Sequence, residues 1–99
     1  MTPMLDYTGW IAQATAGRDK GGFFCVVGID SPGRRVLLAD GKRRRYARPK
    51  AKKLGHVKPL ADHPHGFDHP AIQKLTQGEA LSDQELRRAL AAFRDQLEV

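Results

Sequence analysis

Short apolar runs separated by tight-turn sequences constrain the first sixty residues more than any other feature. The run FFCVVGI, residues 23–29, is rich in aromatic and β-branched residues and is bounded by glycines, which is typical of a central β-strand. WIAQAT, residues 10–15, and RRVLLAD, residues 34–40, have the pattern of further short strands. Four or five such strands within about fifty residues are too few for a sandwich, so we expect a small closed barrel.

A glycine-bracketed basic loop precedes the central strand. In AGRDKGG, residues 16–22, Gly17 and Gly21 enclose three charged residues. Glycine adopts positive φ without steric penalty, so the loop is expected to use that conformation at one or both glycines. A tight loop of this kind would hold Arg18 and Lys20 in solvent.

Two turn sequences follow the central strand. Pro32 and Gly33 suit the central positions of a type II turn. Asp40 and Gly41 are typical of a two-residue type I′ hairpin, which predicts that RVLLA pairs with a further strand at residues 42–47. That strand would begin the most basic part of the sequence.

Residues 42–53 hold eight basic side chains. Strand alternation would place Arg43 and Arg45 on one face, and Arg44 with Tyr46 on the other. Clustered arginines and lysines suit a phosphate backbone, because their binding releases condensed counterions. The alternative is a solvated charge run that keeps a small protein soluble.

The composition changes at residue 61, and the sequence predicts that the chain has three parts. Residues 1–60 form the barrel with its basic arm, and LGHV, residues 54–57, returns as a last short strand. Residues 61–80 contain prolines and histidines without an apolar period, which predicts a linker with one short helix beginning at Pro70. Residues 81–99 have the pattern of an amphipathic helix.

The start and the buried face of this last helix are both visible in the sequence. Ser82 and Glu85 have the spacing of a capping box, and Leu81 is placed to staple the helix entry. An apolar stripe recurs at steps of three and four, formed by Leu86, Leu90, Phe93 and Leu97. We expect the stripe to pack on the barrel, because a lone helix of this length is marginal in water. The alternative is that it docks a partner protein.

The net charge of +6 is divided unevenly along the chain. Residues 1–60 hold 13 Lys or Arg and 4 Asp, whereas residues 61–99 hold 4 Lys or Arg and 7 acidic residues. This division favours a polyanion-binding domain with an acidic appendage. Removing that appendage would then leave polyanion binding intact or slightly stronger.

Cys25 lies within the apolar run FFCVV, where a small buried side chain is expected rather than a reactive thiol. A lone cysteine cannot form an internal disulfide, which is typical of a cytoplasmic protein. The sequence MTPMLDYTGW has no basic region followed by a long apolar stretch, so we expect no export signal and no membrane contact.

Three histidines, His63, His65 and His69, are the candidates for metal binding. Prolines follow two of them, and their spacing fits no closed zinc site, so we expect no metal. No Ser, Cys or carboxylate occupies a recognisable catalytic spacing, which predicts a protein that is not an enzyme and needs no cofactor.

The motifs AGRDKGGFFCVVGID, VLLADGKRRR and KKLGHVKP occur in that order within about residues 9–60. In this the chain resembles KOW-motif proteins, and most closely the branch found among eukaryotic-type large-subunit ribosomal proteins, which has small bacterial relatives. The resemblance implies an SH3-like barrel that binds RNA, usually ribosomal RNA, through the loop after its first strand. Related motifs in transcription elongation factors give the alternative of a protein-docking adaptor that contacts ribosomal or transcription proteins.

The resemblance and the charge pattern together predict a monomeric, cytoplasmic, ribosome-associated protein of translation. Gly17 and Gly21 would shape its binding loop. The side chains predicted to contact RNA are Arg18, Lys20, Lys42, Arg43, Arg44, Arg45, Arg48, Lys50, Lys52, Lys53, His56 and Lys58.

Overall fold

The computed structural model describes residues 5–98 and shows a mainly β protein with two helices near its C-terminal end. The strands are β1 Ile11–Ala14, β2 Phe23–Asp30, β3 Arg35–Ala39, β4 Lys50–Lys53 and β5 Val57–Ala61. A 3-10 helix at Leu54–His56 joins β4 to β5, and the α-helices are α1 Pro70–Thr76 and α2 Asp83–Leu97.

All five strands form one antiparallel sheet in the order β4-β3-β2-β1-β5. Strand β2 is central, as predicted, and Cys25 lies opposite Ile11 on one side and Ala39 on the other. The pairing of β1 with β5 brings the last strand back beside the first. This arrangement is compatible with a small β-barrel-like domain.

The sheet is apolar on both faces, because successive side chains of a strand point to opposite sides. Phe24 and Val26 belong, with Val36 and Leu38, to a buried cluster on one face of the sheet, which we call the inner core. Cys25 belongs to an outer core on the opposite face, where the two helices cover the sheet. The strands that were expected to form a barrel therefore also carry a helical layer.

Helix α2 packs against the sheet as the sequence predicts. Ser82 and Glu85 form the capping box in both directions, since the Glu85 N–H donates to Ser82 Oγ and the Ser82 N–H donates to Glu85 Oε1, each at 3.1 Å. Phe93 is buried and meets Phe23 and Phe67 edge to face, with ring centroids 6.0 and 5.3 Å away. The last residue of the predicted stripe is the exception, because Leu97 is 55% exposed.

The segment predicted as a linker contributes to the outer core. Phe67 and Ile72 are buried there, and α1 begins at Pro70 as predicted. The Lys74 ammonium donates to Glu85 Oε2 at 2.9 Å and joins α1 to α2. That hydrogen bond, with the one from the Ser82 N–H, holds the pKa of Glu85 below its ordinary value.

The prediction of a two-residue hairpin turn at Asp40 and Gly41, followed by a strand at residues 42–47, is wrong. Strand β3 pairs with β4, so that Leu38 lies opposite Lys50, and residues 42–47 form an irregular loop rather than a strand. The Asp40 carboxylate accepts the N–H groups of Lys42 and Arg44, each at 2.9 Å. These bonds satisfy the backbone locally, so the chain forms a longer loop between β3 and β4 instead of a two-residue turn.

Two smaller predictions also differ from the structure. Positive φ falls on Arg34, at 50°, rather than on Gly33, so the turn after β2 is not type II. The Arg34 carbonyl accepts the Leu54 N–H at 3.1 Å, which ties this turn to the 3-10 helix. The predicted strand at residues 54–57 is mostly that helix, and β5 follows it and contains Pro59.

We expect Phe93→Ala to destabilise the protein by about 3–5 kcal/mol, because it removes the aromatic side chain that packs between α2 and the sheet and leaves a cavity there. Leu97→Ala on the same helix is the matched control and should change stability by no more than about 0.5 kcal/mol. Urea denaturation measures both, and equal midpoints would show that α2 does not stabilise the sheet.

Burial raises the pKa of the Cys25 thiol to about 12, so almost no thiolate exists at neutral pH. We expect the native protein to resist a thiol-specific aromatic disulfide reagent and to react rapidly once unfolded in urea. A native thiol that reacts as fast as the unfolded one would contradict the buried position.

Candidate nucleic-acid interface

The loop between β1 and β2, residues 15–22, has the backbone that its glycines predict. Gly17 and Gly21 adopt φ of +80° and +88°, and the Gly21 N–H donates to the Ala14 carbonyl at 2.8 Å. Arg18 and Lys20 are both exposed. The two glycines therefore hold two cations at the end of the sheet.

The third charged residue of this loop points inward. Asp19 is only 4% exposed and accepts two hydrogen bonds from Arg44, at 2.9 Å from Nη2 and 3.3 Å from Nε. The pair joins the 15–22 loop to the loop after β3. Arg44, which the sequence predicts to contact RNA, neutralises a buried carboxylate, which is the condition for burying such a charge.

The 15–22 loop contacts two further segments that were predicted to bind RNA. The Lys52 ammonium donates to the Ala16 carbonyl at 2.6 Å, and the Thr15 N–H donates to the His56 carbonyl at 2.9 Å. Lys52 is therefore committed to holding the loop against β4. The 15–22 loop therefore contacts the segment after β3, strand β4 and the 3-10 helix.

The remaining predicted side chains are exposed but do not share one surface. Lys53 lies opposite Arg35 and points away from the face that carries Lys52, because neighbouring residues of a strand alternate. Lys58 lies opposite Gln13 on β1, which in turn lies opposite Phe23. The exposed members of the set are Arg18, Lys20, Lys42, Arg43, Arg45, Arg48, Lys50, Lys53, His56 and Lys58.

A groove of about 530 Å³ lies between the 15–22 loop, the segment after β3 and helix α2. We call it the basic groove. Lys20, Lys42 and Arg43 line it, as do the apolar side chains of Phe23 and Leu90. Its other charged side chains are Asp40, Arg87 and Arg94. Five cations and one carboxylate give this concave surface a net positive charge, which would favour an anion.

Two of these cations come from α2, which sequence analysis treated as an acidic appendage. Arg87 Nη1 donates to the Gly41 carbonyl at 2.5 Å, and the Arg94 guanidinium carbon lies 5.5 Å from the centroid of the Phe23 ring. Residues 61–99 have a net negative charge, so the charge count does not single out Arg87 or Arg94 as part of a cationic site. Their separation of seven residues, two helical turns, is the signal that places them on one face.

The three histidines considered for metal binding do not converge. His63 Nε2 lies 2.9 Å from Asp68 Oδ1, and His69 Nδ1 accepts the Ala71 N–H at the start of α1. His65 is exposed. No group of three or more His, Cys, Asp or Glu side chains within residues 5–98 is arranged to hold a metal ion.

Comparison with protein-family models matches none of them, and comparison with curated proteins finds no significant relative. Neither helix within residues 5–98 has the length and apolar surface that a bilayer crossing requires.

Gly21→Ala should destabilise the protein by about 1–2 kcal/mol, because alanine is strained at a φ of +88° although the space beside Gly21 is open. Gly55→Ala is the matched control, since its added Cβ also meets nothing within 4 Å and its φ is not positive. Urea midpoints compare the two variants. Equal midpoints would show that Gly21 can be replaced without strain.

Proposed function

We propose that this protein binds RNA, with ribosomal RNA as its partner, and that it acts by binding rather than by catalysis. The observation that carries the proposal is the basic groove, in which five cations from three segments surround a concave surface. Phosphate groups are the ligand that clustered arginines and lysines suit best. Arg18, exposed on the loop beside the groove, extends the positive surface.

We further propose that the sheet is an SH3-like barrel of the KOW type. Three features support this assignment: the strand order β4-β3-β2-β1-β5, the buried inner core, and the glycine-bracketed basic loop after β1. The resemblance in sequence covers the same region. A member of the ribosomal branch would use this loop against structured RNA in the cytoplasm.

The mode of binding follows from the kinds of groups available. Lysine and arginine side chains neutralise phosphates without distinguishing bases, so most of the affinity should be electrostatic and independent of sequence. Arg44 and Lys52 act indirectly, by holding the 15–22 loop in place. Loss of either should therefore affect stability together with RNA affinity.

A protein-docking adaptor is the second candidate, and one observation favours it. Trp10, Pro59, Leu60 and the exposed Leu97 line a shallow groove of about 410 Å³ beside β5. Apolar and aromatic surface of this kind is common where proteins meet. Binding there would depend little on salt, which separates it from binding to phosphates.

We expect RNA binding to weaken about fifty-fold between roughly 50 and 200 mM salt, if about four phosphates are contacted and each adds ~0.7 to the slope of log affinity against log salt. Arg43→Gln should lower the slope of log affinity against log salt by about 0.7. Arg88→Gln also removes one positive charge but lies outside the basic groove, and it should leave the slope unchanged. Fluorescence anisotropy with a labelled RNA hairpin measures all three slopes.

Salt-independent association would contradict the RNA proposal and favour the adaptor. Equal slopes for the Arg43 and Arg88 variants would show that general positive charge, rather than this surface, attracts the RNA.

A further inference from the structure

The basic groove combines a charged rim with an apolar floor, and helix α2 forms one of its walls. We propose that it receives an unpaired nucleotide of the bound RNA, with Arg94 of α2 as a contacting residue. This inference rests on the proposed RNA binding and specifies which part of an RNA the site takes. It also reverses the expectation that the C-terminal segment opposes binding.

The charge of the groove is available to a ligand. Within residues 5–98, none of its five cations forms a salt bridge. Its carboxylate, Asp40, already accepts two backbone N–H groups. An RNA phosphate entering the groove would therefore meet net positive charge from both the loops and the helix.

Arg94 is held in position by an aromatic ring. Its guanidinium carbon lies 5.5 Å from the centroid of the half-buried Phe23 ring, within the range of a cation–π contact. The Arg94 side chain is nevertheless exposed, so its N–H donors and its planar surface can reach a ligand. Arginine planes stack on unpaired bases and donate to phosphates, and one side chain can do both.

The shape of the groove favours an unpaired nucleotide over a duplex. Its volume of about 530 Å³ lies within the range of about 300–1,000 Å³ typical of sites that enclose small ligands. A paired helix presents its sugar-phosphate surface and keeps its base faces stacked inside. An unpaired nucleotide can instead place its base against the guanidinium plane of Arg94 and the half-buried Phe23 while its phosphate meets the cationic rim.

The helix offers a matched control for this role. Arg87, Leu90 and Arg94 are three and four residues apart and share the face that lines the groove. Arg88 follows Arg87 by one residue, which turns it by about 100° around the helix axis. Both Arg88 and Arg94 are exposed, so replacing either should leave the fold intact.

The test compares two RNA hairpins with the same stem, one fully paired and one with a single-nucleotide bulge. The wild-type protein should bind the bulged hairpin several-fold more tightly. Arg94→Gln should lose most of that preference, whereas Arg88→Gln should keep it. Thermal melting of each variant verifies that the fold is unchanged, and a free mononucleotide in excess should compete only weakly.

The outcomes separate this inference from the function on which it rests. If Arg43→Gln weakens RNA binding while the Arg94 and Arg88 variants behave alike, RNA binding stands and the role of α2 is wrong. Equal wild-type affinity for the two hairpins likewise overturns the unpaired-nucleotide proposal. If the free mononucleotide binds as tightly as RNA, the ligand is a small molecule, and if neither hairpin binds, the proposed function fails as well.

Discussion

A central strand with apolar side chains on both faces is the constraint on which the rest of the structure depends. Phe24 and Val26 point into the inner core, and Cys25 between them points into the outer core. A single sheet of five short strands can curve around one of these faces but leaves the other exposed to water. The two helices remove that second face from solvent, so the C-terminal third of the chain completes the domain.

The packing of α2 against the sheet also determines where the charged side chains around the groove lie. Because Phe93 of α2 is buried against Phe23, the next residue, Arg94, is brought over the Phe23 ring at the edge of the groove. On the opposite wall, the ion pair between Asp19 and Arg44 holds two loops together. The cationic surface is thus arranged by an apolar contact on one side and a partly buried ion pair on the other.

The parts of the fold that depend on local sequence could be predicted. Ser82 and Glu85 specify the start of α2 within four residues, and Gly17 and Gly21 specify the loop by their own conformational freedom. The pairing of β3 with β4 could not be predicted, because it spans the ten residues between Ala39 and Lys50. A local hydrogen-bonding pattern at Asp40 competes there with the hairpin that the same residues would suit.

In the candidate site, too, local sequence predicts some features and tertiary contacts determine the others. Exposure of Arg18 and Lys20 follows from the loop sequence, whereas the partnership of Arg44 with Asp19 joins residues 25 positions apart. Arg94 enters the site only because α2 folds back over the sheet. The sequence shows which segments carry cations, but only the tertiary structure distinguishes Arg44 and Lys52, which hold loops, from the cations that line the basic groove.

The two outer strands of the sheet also affect how copies of this protein behave toward one another. A sheet edge can pair with a strand of another chain and start a fibre. Strand β4 carries Lys50 and Lys53, which would face like charges in such a pairing, and Pro59 in β5 has no N–H to donate. The exposed lysines of β4 therefore oppose aggregation through this sheet edge at high protein concentration.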